Sequence, residues 1–226
     1  MKRKRWSITL AVALLALSVP ASAGVLQSDT NSIPAFTGIT NMSINFYGIT
    51  CDADVEFAVY APNAGASNFD ATFGLGADPT GGLEFVYAYQ VFNLTAPLAT
   101  PVTSLTVGLD GDEYNVFSPP VNVGFVAGTG TIAPSASSFV TPGLPTAPTS
   151  VRWDFLSPTI PLSTTSDVLF FTSSDGPEWD FGTIGASWSG TSDVPSPMPT
   201  TEVPEPATLS LLALGGIACL RRRRRV

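Results

Sequence analysis

Apolar residues return at every second position in short runs, and each run ends in turn chemistry. "MSINFYG" sets Met42, Ile44 and Phe46 on one face, and "DVEFAVYAP" does the same with Val55, Phe57 and Val59. "SLTVGLD" offers Leu105, Val107 and Leu109; "VNVGFVAG" offers Val121, Val123 and Phe125; "SVRWDFL" offers Val151, Trp153 and Phe155. A strand turns successive side chains to opposite faces, so this period means half-buried strands. "LEFVYAYQVFNL" and "DVLFFTSS" are apolar on both faces and read as central strands of a sandwich, with residues 150–156 as a partner. "GADPTGG", "FSPP", "APSASS" and "TPGLPTAPTS" are loop chemistry between the runs. Lys is absent between residues 24 and 203 and Glu is sparse, so strong helix formers are scarce and no convincing amphipathic helix is found there. The expectation is an all-β, antiparallel β-sandwich, Ig-like or jelly-roll-like, of about eight or nine strands. No fixed-period repeat occurs, which argues against a β-solenoid.

Charge is sorted along the chain. Basic residues cluster at Lys2, Arg3, Lys4 and Arg5 and again at Arg221, Arg222, Arg223, Arg224 and Arg225, with Arg152 alone between them. From residue 24 to residue 203 there are seventeen acids and one base, a net charge of −16. Such a body repels phosphate and excludes nucleic acid as a partner. Each basic cluster flanks an apolar segment, which is the pattern of membrane targeting.

At the N-terminus "MKRKRW" is a positive n-region and "SITLAVALLALSV" an apolar h-region. "ASA" then gives a small-residue cleavage site between Ala23 and Gly24. No Cys follows the h-region, so a lipoprotein is not expected. At the other end, residues 207–220 would reach about 21 Å as a helix, against a hydrocarbon core of about 30 Å. Arginines that snorkel at one end extend so short a span, and they keep that end cytoplasmic. Pro204 and Pro206 stop the helix from running back into the body. The chain therefore divides into a signal peptide (1–23), an exported β-domain (24–193), a Pro/Ser/Thr linker (194–203) and a tail (204–226) with a transmembrane helix at 207–220.

Val-Pro-Glu-Pro, a short apolar helix and a terminal Arg cluster, in that order, resemble the PEP-CTERM sorting signal of bacteria. That tail has also been labelled an ice-binding protein C-terminal domain. The matching positions are Pro204, Glu205 and Pro206, residues 207–220, and Arg221 to Arg225. The resemblance implies a transient inner-membrane intermediate and removal of the tail by exosortase, a membrane-embedded cysteine protease. Delivery to the envelope or the extracellular matrix follows, where exopolysaccharide is the implied partner. Gly215 and Gly216 also resemble a Gly-Gly tail sorted by a rhomboid-type protease, but the intact PEP element keeps the exosortase reading. The body is similar to those carried by other PEP-CTERM proteins in its "YAYQVFNLT", "GFVAGTG" and "SDVLFFTSSDGP" segments.

Histidine is absent, which removes Ser-His-Asp and Cys-His catalysis and His-ligated zinc. No P-loop or G-x-G-x-x-G element occurs, and "VAGTGT" is a turn between strands. Cys51 and Cys219 fall in different processing products, so no bridge is expected and Cys51 is read as a buried thiol. The sequence is read as non-enzymatic, with a secreted hydrolase the least supported alternative. Carboxylates remain: Asp52, Asp54 and Glu56 at period two; Asp110, Asp112 and Glu113; and Asp175, Glu178 and Asp180. The last two clusters are candidate calcium ligands, because calcium takes six to eight oxygens. Against that stands the use of Asp in turns for its backbone hydrogen bonds. Trp179, Trp188, Tyr60 and Tyr114 are candidates for stacking on sugar rings; against that stands the use of such rings to close the ends of a sandwich. The chain is thus expected to be a structural or adhesive module, with a carbohydrate-binding or calcium-dependent recognition module as the alternative. Asn41 and Asn93 begin N-x-S/T sequons for which no glycan is expected.

Overall fold

The computed structural model describes residues 24–46, 49–94, 101–109, 122–140, 149–186 and 189–197. The expected signal peptide, the membrane helix at 207–220, the PEP element and the arginine tail lie outside them, as do Asp110, Asp112, Glu113, Tyr114, Trp188 and Cys219.

Ten strands occur among the described residues, more than the eight or nine expected. They are β1 (Thr37–Phe46), β2 (Ile49–Tyr60), β3 (Phe85–Asn93), β4 (Ser104–Gly108), β5 (Val123–Val126), β6 (Ala136–Val140), β7 (Ser150–Asp154), β8 (Val168–Ser173), β9 (Pro177–Gly185) and β10 (Ser189–Pro197). They form two five-stranded sheets, ordered β1-β2-β3-β8-β5 and β10-β9-β4-β7-β6. Neighbouring strands are antiparallel throughout.

The main core lies between the sheets. Val55, Phe57 and Val59 of β2 enter it together, as their spacing requires, and Leu105, Val107, Val151 and Trp153 meet them from the second sheet. Tyr89 stands 5.9 Å from Trp153, and Tyr87 stacks on Phe171 at 4.9 Å. β5 departs from its expected pattern: Val123 packs against the core, but Phe125 is 38% exposed.

β3 and β8 are apolar on both faces because both faces are covered. Tyr87, Tyr89 and Val91 point into the sandwich, while Val86 and Ala88 point the other way, into a second cluster with Leu26, Tyr60, Phe69 and Phe170. Leu26 and a short helix, α1 (Asn68–Phe73), supply that outer cover, while Ile33 and Phe36 pack against the main core. α1 was not expected; its six residues are too few to display a helical period. Residues 150–156 were expected to partner these central strands. β3 pairs with β8, and β7 belongs to the facing sheet and meets them through Trp153.

Residues 194–197, expected to open the linker, belong instead to the sheet. Val194–Pro197 complete β10, and Val194 is fully buried in the core. β10 is an edge strand, where a residue without an N–H is tolerated, so Pro195 and Pro197 do not break it.

Candidate functional site

The two sheets approach each other along one seam, where β1 and β10 are the edge strands. Thr40 Oγ1 and Ser192 Oγ share a hydrogen bond of 2.5 Å across it. Beside this bond an open cleft of about 450 Å³ is lined by Ile39, Thr40, Phe57, Trp179, Ser192 and Asp193.

Trp179 dominates the cleft. It sits on β9, directly opposite Pro195 of β10. Phe36 lies 5.5 Å from it at a tilt of 33°, and the buried Phe57 meets it edge-on at 5.5 Å. These contacts fix the indole while leaving Trp179 51% exposed. A large aromatic ring held from behind and open in front keeps its rotamer without a ligand, so binding costs little further ordering. Asp193 and the two hydroxyls put oxygen acceptors and O–H donors on the rim. A flat apolar ring edged by polar oxygens can meet a ligand that has one apolar face and polar edges.

Other candidates are placed differently. By alternation Glu178 and Asp180 occupy the face of β9 opposite Trp179 and Phe181. Asp180 lies over Gly108, where a Cβ would come 2.5 Å from its carboxylate. Asp175 is buried, and the Tyr87 hydroxyl donates to its backbone carbonyl at 2.7 Å. Burial, with the charges of Asp175 and Glu178, pushes the Tyr87 hydroxyl well above its ordinary value; burial, Tyr87 and Asp180 do the same to Tyr89. Both phenols therefore stay neutral donors, and the Tyr89 hydroxyl donates a hydrogen bond to the Pro195 carbonyl. Among the described residues no three His, Cys, Asp or Glu side chains are grouped so as to hold a metal ion.

Tyr60, expected to be exposed, is buried against Phe69 at 5.1 Å and donates to Asp29 Oδ2 at 2.6 Å. Burial first, and then Asp29, raise its pKa. Asn93 is buried and donates to the Ile160 carbonyl at 2.9 Å, so this sequon is closed to a glycan in the folded protein. Asp54 accepts from Asn41 at 2.8 Å, while Glu56 is 0% exposed beneath residues 24–27. The cleft itself was half legible: Trp179 was singled out, but Ile39, Thr40, Ser192 and Asp193 carry no local signal of their convergence.

Residues 202–225 match the PEP-CTERM protein-sorting motif. Neither curated proteins nor solved structures provide a match to the chain. The motif implies export through the membrane, processing by exosortase, and delivery to the cell envelope or the extracellular space.

Proposed function

We propose that the exported body is a non-catalytic adhesive module of the envelope or extracellular matrix, and that it holds polysaccharide through the Trp179 cleft. The half-exposed indole, braced by Phe36 and Phe57 and edged by Thr40, Ser192 and Asp193, carries this reading. A net charge of −16 between residues 24 and 203 disfavours anionic polymers, so the ligand is a neutral polysaccharide. The PEP-CTERM tail supports the reading by delivering the domain to the compartment where such polymers lie.

The test uses mature protein purified from the producing cells, in affinity electrophoresis through gels containing neutral or anionic polysaccharide. Trp179→Ala should weaken retention in the neutral gel about tenfold, equivalent to about 1.4 kcal/mol, which is the scale of one aromatic stacking contact. Equal mobility of wild type and variant in every gel would end the proposal. Sorting is tested separately by fractionating cells. Full-length chain should accumulate in the inner membrane only where the sorting protease is missing. Equal accumulation in its presence would show that the tail is not processed.

A further inference from the structure

Residues 24–32 form a strap over the outer face of the first sheet. Leu26 is fully buried in it, among Tyr60, Phe69 and Phe170. Asp29 anchors it by accepting the Tyr60 and Thr72 hydroxyls, each at 2.6 Å, and Ile33 N donates to the Val59 carbonyl at 2.7 Å. At its first residue, Gly24 N lies 2.5 Å from Glu56 Oε1, and Gln27 N donates to Glu56 Oε2 at 3.3 Å.

Glu56 is unusual in this chain. A buried carboxylate is stable only when paired, and the body holds a single basic side chain that could pair with it. Arg152 is the one base between residues 24 and 203, and it pairs with Asp154 at 2.7 Å in the second sheet. β1 and β3 place Ile39 and Gln90 opposite Glu56, and neither titrates. Among the described residues Asp54, of the same sign, is the titratable group that bears on it. Burial raises the Glu56 pKa, and the N–H groups of Gly24, Gln27 and Leu26 only partly offset this.

Space at the strap's first residue is equally restricted. A Cβ on residue 24 would fall on Glu56 Oε2 and 2.6 Å from Phe92 Cζ, so glycine alone lets the backbone nitrogen approach the carboxylate this closely. Gly24 follows "ASA", the small-residue site of the export reading. Before a cut there, its nitrogen is a neutral amide with one proton. Afterwards it is an ammonium with three N–H donors.

We infer that signal-peptide removal between Ala23 and Gly24 creates the missing cation: the new α-ammonium of Gly24 binds the buried Glu56 carboxylate and locks the strap onto the first sheet. Folding of the outer layer is thereby completed only after export. The inference rests on the reading of residues 1–23 as a cleaved signal and is independent of the sugar cleft.

The composition makes the test selective. Beyond residue 23 the chain contains no Lys, so the α-amine is the sole primary amine of the mature protein. Mature protein from the producing cells is first weighed intact, then acylated with an N-hydroxysuccinimide ester at neutral pH, alongside a Gly-Val-Leu-Gln-Ser-Asp peptide. Only the neutral amine reacts, and each unit by which pairing raises its pKa slows acylation tenfold. The native protein should react at least about tenfold more slowly than the peptide, and Glu56→Gln should recover most of that difference. A second variant, with two serines inserted between Ala23 and Gly24, displaces the amine while keeping Glu56, and should also react at the peptide's rate. A native protein that reacts as fast as the peptide overturns the pairing. A mass showing an N-terminus other than Gly24 overturns the inference through its premise, and the two failures are distinguished by the mass alone.

Discussion

Replacing Trp153 by alanine should destabilise the domain by about 3–5 kcal/mol, a large part of the 5–15 kcal/mol that holds a typical domain together. Trp153 is fully buried on β7, at the centre of the interface between the sheets. Its ring stands 5.9 Å from Tyr89 and 6.3 Å from Phe171, so it touches both central strands of the facing sheet. Its Nε1 donates to the Gly124 carbonyl on β5 at 3.0 Å. Alanine would leave a cavity and remove the donor from that carbonyl, two penalties that add. Urea denaturation followed by tyrosine fluorescence measures the effect. Trp179→Ala is the control: its ring is half in solvent, so its loss should cost less than about 1 kcal/mol. Equal midpoints for the two variants would mean that the sheets do not pack through Trp153.

Asp78→Ala should cost about 3 kcal/mol, although it touches neither sheet core. Asp78 is only 5% exposed, in the loop after α1. Its Oδ2 accepts the Ser67 hydroxyl at 2.7 Å and Gly82 N at 3.0 Å; its Oδ1 accepts Thr80 N at 2.8 Å and Thr80 Oγ1 at 2.7 Å. Ser67 caps α1 through Asp70 N at 3.2 Å, and Asp70 Oδ1 accepts Asp78 N at 2.7 Å, which closes a ring of bonds around the helix start. Burial opposes the charge on Asp78, but the bonds from Ser67, Thr80 and Gly82 outweigh it, and the pKa falls below the usual aspartate value. A folded-state pKa below the unfolded one stabilises the protein above the unfolded value, near 4, and that contribution disappears as the pH drops through the folded value. Asp78→Asn should therefore flatten the loss of stability between about pH 5 and pH 2. Thermal unfolding across that range decides it. An unchanged slope would show that Asp78 is not the group responsible.

The reading of strands succeeded where one face of the chain meets the core. In β2, β4 and β7 the period-two residues are those that pack between the sheets. It went astray where the cover of a face depends on distant chain. Tyr60 lies next to a turn and looks exposed, yet α1 brings Phe69 onto it. β3 and β8 look alike in sequence, and only packing reveals that they are neighbours. Pro195 and Pro197 have the composition of a linker, and their place on an edge strand is invisible locally.

Two properties were settled by the order of residues alone. One is destination: the PEP-CTERM motif at residues 202–225 is a linear signal, readable by sorting machinery without a fold. The other is the inside–outside parity of each strand, which period two imposes on any extended chain. Tertiary structure decided which strands became partners, how β1 and β10 met to frame Trp179, and how Gly24 came to lie against Glu56, thirty-two positions away. Parity repeats identically in every strand, so it cannot name a neighbour. Long-range packing, which ranks the alternatives by the apolar surface each one buries, makes that choice.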